Sequence, residues 1–199
     1  VNGTPPPSAA RKFIMGRDGF RRVEPSPPIP LPPTPSDARQ DDYPDNAEKS
    51  WTTPVTGALS YTSLFGRREI NGKVSDHKGI DIGAPINVLL FAVADGKIDG
   101  ITTDWKTTGL TVTIGIKDGD EMYSVLYGHM NQINVSLGQK VKKGDILGTV
   151  GTTGPSTGPH LHFQIKSSSR GIVNPFHVNK LKDILPPAVK GPATFKATT

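Results

Sequence analysis

The chain contains no cysteine. That excludes disulfide staples, thiol nucleophiles and thiolate metal sites. It leaves the compartment open, because cysteine-free chains occur both inside and outside cells. Long apolar runs are missing too. Nothing approaches the roughly 18 consecutive apolar residues that a membrane-spanning helix needs, so no membrane span is expected. Aromatics make up 7% of the 199 residues and hydrophobic residues 34%, too little for dense packing throughout. No signal peptide is visible, and the chain opens on Val1, as a processed product or a piece of a longer chain would. There is no RNA-binding motif, zinc finger or long Lys/Arg run. The net charge of +5 and pI near 9.4 therefore point to an anionic surface such as a cell wall, with no nucleic-acid partner expected.

What the chain does have is unevenly spread. Eleven of the 19 prolines precede residue 50. The run Pro25-Ser26-Pro27-Pro28-Ile29-Pro30-Leu31-Pro32-Pro33-Thr34-Pro35 cannot form a helix or a central strand, since proline lacks the amide donor and restricts φ. Polyproline II is its expected state. Residues 1–50 thus read as an extended proline-rich arm or linker. Basic residues (Arg11, Lys12, Arg17, Arg21, Arg22) lie upstream of the run, and Asp37, Asp41, Asp42 and Asp45 lie downstream. One reading of the arm is a segment that docks on another protein of a larger assembly.

From Trp51 the texture changes. Short β-branched runs recur at Val88–Val93, Gly96–Ile101, Leu110–Ile116, Tyr123–Tyr127, Ile146–Val150 and His162–Ile165, several with period two. Asp118-Gly119 between two of them is a hairpin-turn signal. No long amphipathic helix is evident; a short helical piece is expected within Asn174–Ile184. The fold class is therefore mostly β, an antiparallel sheet domain over residues 51–185, with a tail at 186–199.

Four of the five histidines fall into three motifs: His77-Lys78-Gly79-Ile80-Asp81, Tyr127-Gly128-His129 and Gly158-Pro159-His160-Leu161-His162. Neutral imidazole and carboxylate both ligate zinc, and three protein ligands with one open position make a hydrolytic site. Residues i and i+2 of a strand share a face, so His160 and His162 would face one groove and Leu161 the core. His77 and Asp81, four apart, can share a side. Each motif alone also fits an ordinary exposed or strand-end histidine. His177 has no partner motif and is left structural.

Together these motifs resemble the lysostaphin-type (LytM-like, duplicated hybrid motif) zinc metalloendopeptidases. The resemblance runs in order from about Ser60 to Pro175. It is carried by Phe65-Gly66-Arg67-Arg68, His77–Pro85, Ala94-Asp95-Gly96-Lys97-Ile98, Tyr127–Met130, Val135–Asp145 and Ser156–Phe163. It departs from the family at Ile86-Asn87, Ile114-Gly115-Ile116 and Gln164. The resemblance implies Zn2+ held by His77, Asp81 and His162, with catalytic His129 and His160 flanking the open position. It implies a zinc-containing groove and hydrolysis of the peptide part of bacterial peptidoglycan, either cross-links or stem peptides. A catalytically silent module of an assembly is the alternative, but such modules lose ligands, and this chain keeps all of them. The expected location is extracellular or periplasmic. The arm and the absence of a visible signal peptide point to a phage virion (tail) as one placement. Asp45 or Asn46 of the arm has the chemistry to cap the open position.

Overall fold

A computed structural model describes residues 13–15, 21–23, 42–57, 59–70 and 72–185. The chain divides into two units, residues 1–33 and 34–199. In the first, Phe13–Met15 (β1) pairs antiparallel with Arg21–Val23 (β2), a paired element inside what composition reads as an extended arm. The proline run Pro25–Pro35 and the tail from 186 lie outside the described residues, as does any docking by the arm.

The second unit is built of antiparallel strands. They are β3 (Ser60–Ser63), β4 (Gly66–Ile70), β5 (Lys73–His77), β6 (Ile80–Gly83), β7 (Leu89–Phe91), β8 (Gly96–Asp104), β9 (Gly109–Asp118), β10 (Glu121–Gly128), β11 (Met130–Ile133), β12 (Lys140–Val141), β13 (Ile146–Val150), β14 (His160–Ser167) and β15 (Gly171–Val173). The main sheet runs β12-β8-β9-β10-β14-β6-β3, with β15 also paired to β14. A second sheet is β11-β13-β7, and β4-β5 form a separate hairpin. The expected turn at Asp118-Gly119 joins β9 to β10, whose register closes on Asp118 opposite Glu121. In place of the expected short helix there is one 3-10 turn, Pro175–His177, capped by the Asn174 side chain.

Alternation explains these strands. On β9, Val112, Ile114 and Ile116 are fully buried; on β14, so are Leu161, Phe163 and Ile165. Leu90, Met130, Leu147 and Val150 of the second sheet join the same apolar cluster. Burying a Leu or Ile side chain contributes about 1.5–3 kcal/mol, so this cluster dominates the stabilisation. Tyr127, the first residue of the Tyr127-Gly128-His129 motif, is part of it. Its ring meets Phe163 edge-on at 5.4 Å, and its hydroxyl accepts from Val93 N at 3.1 Å.

Residues 42–50, read by composition as the end of the arm, are fastened to this sheet. Tyr43 donates to Asp99 Oδ1 at 2.7 Å, in a slot that exists because residue 115 has no side chain. A Cβ on Gly115 would lie 2.6 Å from the Tyr43 ring. Asn46 donates to Lys117 O and Asp95 O at 2.9 Å each, and Asp45 accepts from Gly119 N at 2.9 Å. These contacts lie at the end of β9 and β10 remote from the histidines. Neither Asp45 nor Asn46 caps the histidine site.

Candidate active site

The site forms where β6, β10 and β14 meet. The register sets Asp81 and Gly128 on either side of His162. Across an antiparallel pair, opposed side chains share a face and stand about 4.5–5.5 Å apart at Cβ. Asp81 and His162 are therefore brought together by pairing alone. His160 sits two residues earlier on the same face, and Leu161 points into the core with no exposure, as the alternation requires. His77 arrives from the end of β5, across the tight link Lys78-Gly79. That link has no room for a side chain: a Cβ on Gly79 would lie 2.5 Å from Phe163 O and 3.0 Å from His162 Cε1.

His129 occupies a corner. β10 ends at Gly128 in the main sheet, and β11 begins at Met130 in the second. The turn between them puts His129 at φ 59°, a left-handed conformation that costs an L-residue roughly 1–2 kcal/mol. Two bonds offset the cost. His129 N donates to Thr108 O at 2.7 Å, and its Nδ1 donates to Thr153 O at 2.7 Å. Strain held in place this way is typical of functional positions.

The donor atoms converge. His77 Nε2 lies 3.0 Å from His162 Nδ1 and 3.1 Å from Asp81 Oδ1. His162 Nδ1 lies 2.9 Å from Asp81 Oδ1. A tetrahedron with vertices about 2.0–2.1 Å from its centre has edges of roughly 3.3–3.4 Å, close to these separations. All three residues are buried. The His77 tautomer follows from its partner. His77 Nδ1 meets Leu64 O at 2.9 Å, and a carbonyl only accepts, so Nδ1 carries the proton and Nε2 presents a lone pair. With His162 as its Nε2–H tautomer, the three buried atoms at this spacing are all acceptors and fit a cation. Among the described residues they form a group able to hold a metal ion, all within 4.8 Å of one another.

Arg68 is the residue that sequence reasoning passed over as part of a motif. Its Nη1 donates to Asp81 Oδ2 at 3.1 Å and to Ser63 Oγ at 2.7 Å. It therefore holds one carboxylate oxygen and turns the other, Oδ1, toward the histidines. Burial works against the Asp81 carboxylate. With no ion bound, proton-bearing forms of the adjoining His162, His77 and His160 outweigh it and hold its pKa well below the usual range.

His129 and His160 stand beside this group, their ring centroids 4.6 Å apart. His160 Nδ1 donates to Gly158 O at 2.8 Å, and its Nε2 lies 3.7 Å from Asp81 Oδ1. Both rings thus spend Nδ1 on a backbone carbonyl and leave Nε2 free. Burial, together with the charges of His160 and His162, lowers the His129 pKa against the opposing pull of Thr153 O, so the ring is neutral near pH 7. All five residues line one groove of about 600 Å³, together with Arg68, Lys78, Lys106–Thr108 and Pro155–Thr157. His177 lies outside it.

Known peptidases resemble this chain. Lysostaphin of Staphylococcus simulans is 36% identical over 117 residues, 59% of this chain and 22% of that protein. Peptidoglycan DD-endopeptidase ShyB of Vibrio cholerae is 31% identical over 106 residues, 53% of this chain and 24% of that protein. The chain thus spans less than a quarter of the length of either relative. The solved structure of a zinc-containing peptidase from Vibrio cholerae superposes with a TM-score of 0.56 at 30% identity, over 63% of this chain and 39% of that one. Residues 75–175, half of the chain and the stretch that holds all five site residues, match peptidase family M23, and the chain belongs to that family.

Proposed function

We propose that the chain is a zinc-dependent endopeptidase that hydrolyses peptide cross-links or stem peptides of bacterial peptidoglycan. The observation that carries this reading is the convergence of His77, Asp81 and His162 in one groove with two further histidines whose Nε2 atoms are free. His77 Nε2, Asp81 Oδ1 and His162 Nδ1 would hold the ion. Zinc bound there supplies Lewis acidity toward a scissile carbonyl and lowers the pKa of water.

The remaining steps belong to the chain's own groups. The groove takes an extended peptide, bounded by Lys106–Thr108 and Pro155–Thr157. A neutral imidazole accepts the proton of the attacking water at Nε2, and an imidazolium returns one to the leaving amine. His129 and His160 are the two rings positioned for this. Their Nδ1 bonds to Thr153 O and Gly158 O keep Nε2 aimed into the groove. The protonated ring also donates to the oxyanion that develops. The substrate of this chemistry lies outside the cytoplasm, so the place of action is extracellular or periplasmic, and a virion or envelope assembly is the partner we assign to the arm.

Purified cell walls test the reading. Protein loaded with zinc is expected to lower their turbidity. Stripping by chelator should abolish lysis, and stoichiometric zinc should restore it. Lysis indifferent to metal removal, or none by the zinc-loaded protein, would sink it.

Arg68→Ala is expected to weaken zinc binding about 10–100-fold, the usual effect of losing a group that orients a ligand. Competition with a chromophoric chelator measures it. Arg68→Lys should recover part of the affinity, since one donor can still reach Asp81 Oδ2. Unchanged affinity in Arg68→Ala would remove its positioning role.

A further inference from the structure

Of the two tryptophans, folding uses one. Trp51 is 3% exposed and meets Tyr123 edge-on at 5.4 Å. Trp105 is 63% exposed, at the tip of the β8–β9 hairpin. The tip is ordered without the indole. Asp104 Oδ1 accepts from Lys106 N at 2.9 Å, Asp104 Oδ2 accepts from Thr107 Oγ1 at 2.5 Å, and Thr107 N donates to Asp104 O at 3.2 Å. The base of the hairpin is tied to the site itself. Thr108 O receives His129 N, and Leu110 N donates to Thr153 Oγ1 at 2.9 Å. The backbone that carries the indole is therefore held in place, and the indole has its apolar surface in water.

The placement says what could cover it. Lys106, Thr107 and Thr108 line the groove, whereas Trp105 does not. A peptide in the groove runs past these three residues, and what reaches beyond the rim is the polymer to which that peptide is attached. In peptidoglycan that polymer is a glycan of uncharged N-acetylated pyranoses. A pyranose has one face of C–H groups that matches a flat indole and an edge of hydroxyls that suits polar neighbours such as Lys106 and Thr107. An aromatic with one apolar face and a wet surround is the usual composition of a recognition surface.

We propose that Trp105 is a stacking platform for a pyranose ring of the glycan strand, placed outside the peptide groove. The inference rests on the peptidoglycan reading above and adds a saccharide subsite to it. It sets a preference for polymeric wall over free peptide and leaves bond cleavage to the groove.

The test compares wild type with Trp105→Ala on intact walls and on cross-linked peptides freed of sugar. A fluorescence titration with an N-acetylglucosamine tetramer runs beside it. Trp105→Ala is expected to keep its rate on the free peptides and to lose between about three- and tenfold on limiting wall, the range a single aromatic contact supports. The tetramer should shift the emission of wild type but not that of Trp105→Ala, whose one remaining tryptophan is buried. Equal loss on both substrates, or undiminished wall lysis with no fluorescence response in wild type, would overturn the inference. Failure of wild type on both substrates strikes the peptidase reading instead, and the titration still decides the saccharide subsite.

Discussion

His162→Ala is expected to lose both the metal and the activity. His162 Nδ1 stands between the other two donors, 3.0 Å from His77 Nε2 and 2.9 Å from Asp81 Oδ1. Without it, two protein atoms are left to hold the ion. Zinc binding by four ligands is worth about 10–16 kcal/mol, so each ligand contributes about 2.5–4 kcal/mol, or about two to three orders of magnitude in affinity. The strand should survive. β14 is held by the backbone ladder to β10 and β6 and by Leu161 and Phe163 in the core; neither uses the imidazole. Metal analysis after dialysis checks the prediction, with thermal unfolding of the metal-free protein as the control for folding. Full zinc occupancy in a folded His162→Ala protein would remove His162 from the ligand set.

The second large effect separates binding from chemistry. His160→Ala should keep its zinc and lose about 10²–10⁴-fold in kcat, the contribution of a positioned acid or base. Geometry is the reason to expect the split. His160 Nε2 is 3.7 Å from Asp81 Oδ1, outside the three-atom cluster, and its ring is held from behind by Gly158 O. KM should change little, because the groove wall near Pro155–Thr157 is kept. His129 belongs to the same pair but makes a poorer variant. Its φ of 59° strains an alanine replacement, and its Nδ1 bond to Thr153 O ties the corner to the adjoining loop. A loss in His129→Ala therefore mixes folding with catalysis, whereas His160→Ala isolates catalysis. Normal kcat in His160→Ala would return the ring to a structural role. Loss of zinc in that variant would make it a ligand.

Much of this site could be read along the chain. His160-Leu161-His162 needs only the period-two geometry of a strand to put two imidazoles on one face and Leu161 in the core, and the structure has them so. The strand at Leu110–Ile116 announces itself by β-branched alternation. The hairpin β4-β5 does not. Gly66-Arg67-Arg68-Glu69-Ile70 and Lys73-Val74-Ser75-Asp76-His77 are mostly polar, with no apolar face to give a period. They pair by backbone bonds and stand away from the core, so Arg68 carried no signal beyond its place in a motif. The fastening of residues 42–50 was hidden for a similar reason. Tyr43 and Asn46 act through hydrogen bonds to β8 and β9, and no local pattern encodes a slot made by the missing side chain of Gly115.

The sequence by itself determined the donor types, their order and the β character of the domain, because these depend on chemistry and on spacings of two to four residues. Only the tertiary structure decided that His77 and Asp81 meet His162 across more than 80 residues of chain, which proton His77, His129 and His160 keep, and which carboxylate oxygen faces the site. Those outcomes depend on strand register and on backbone carbonyls at Leu64, Thr153 and Gly158. A carbonyl is the same group at every position, so its role exists only once the fold has aimed it.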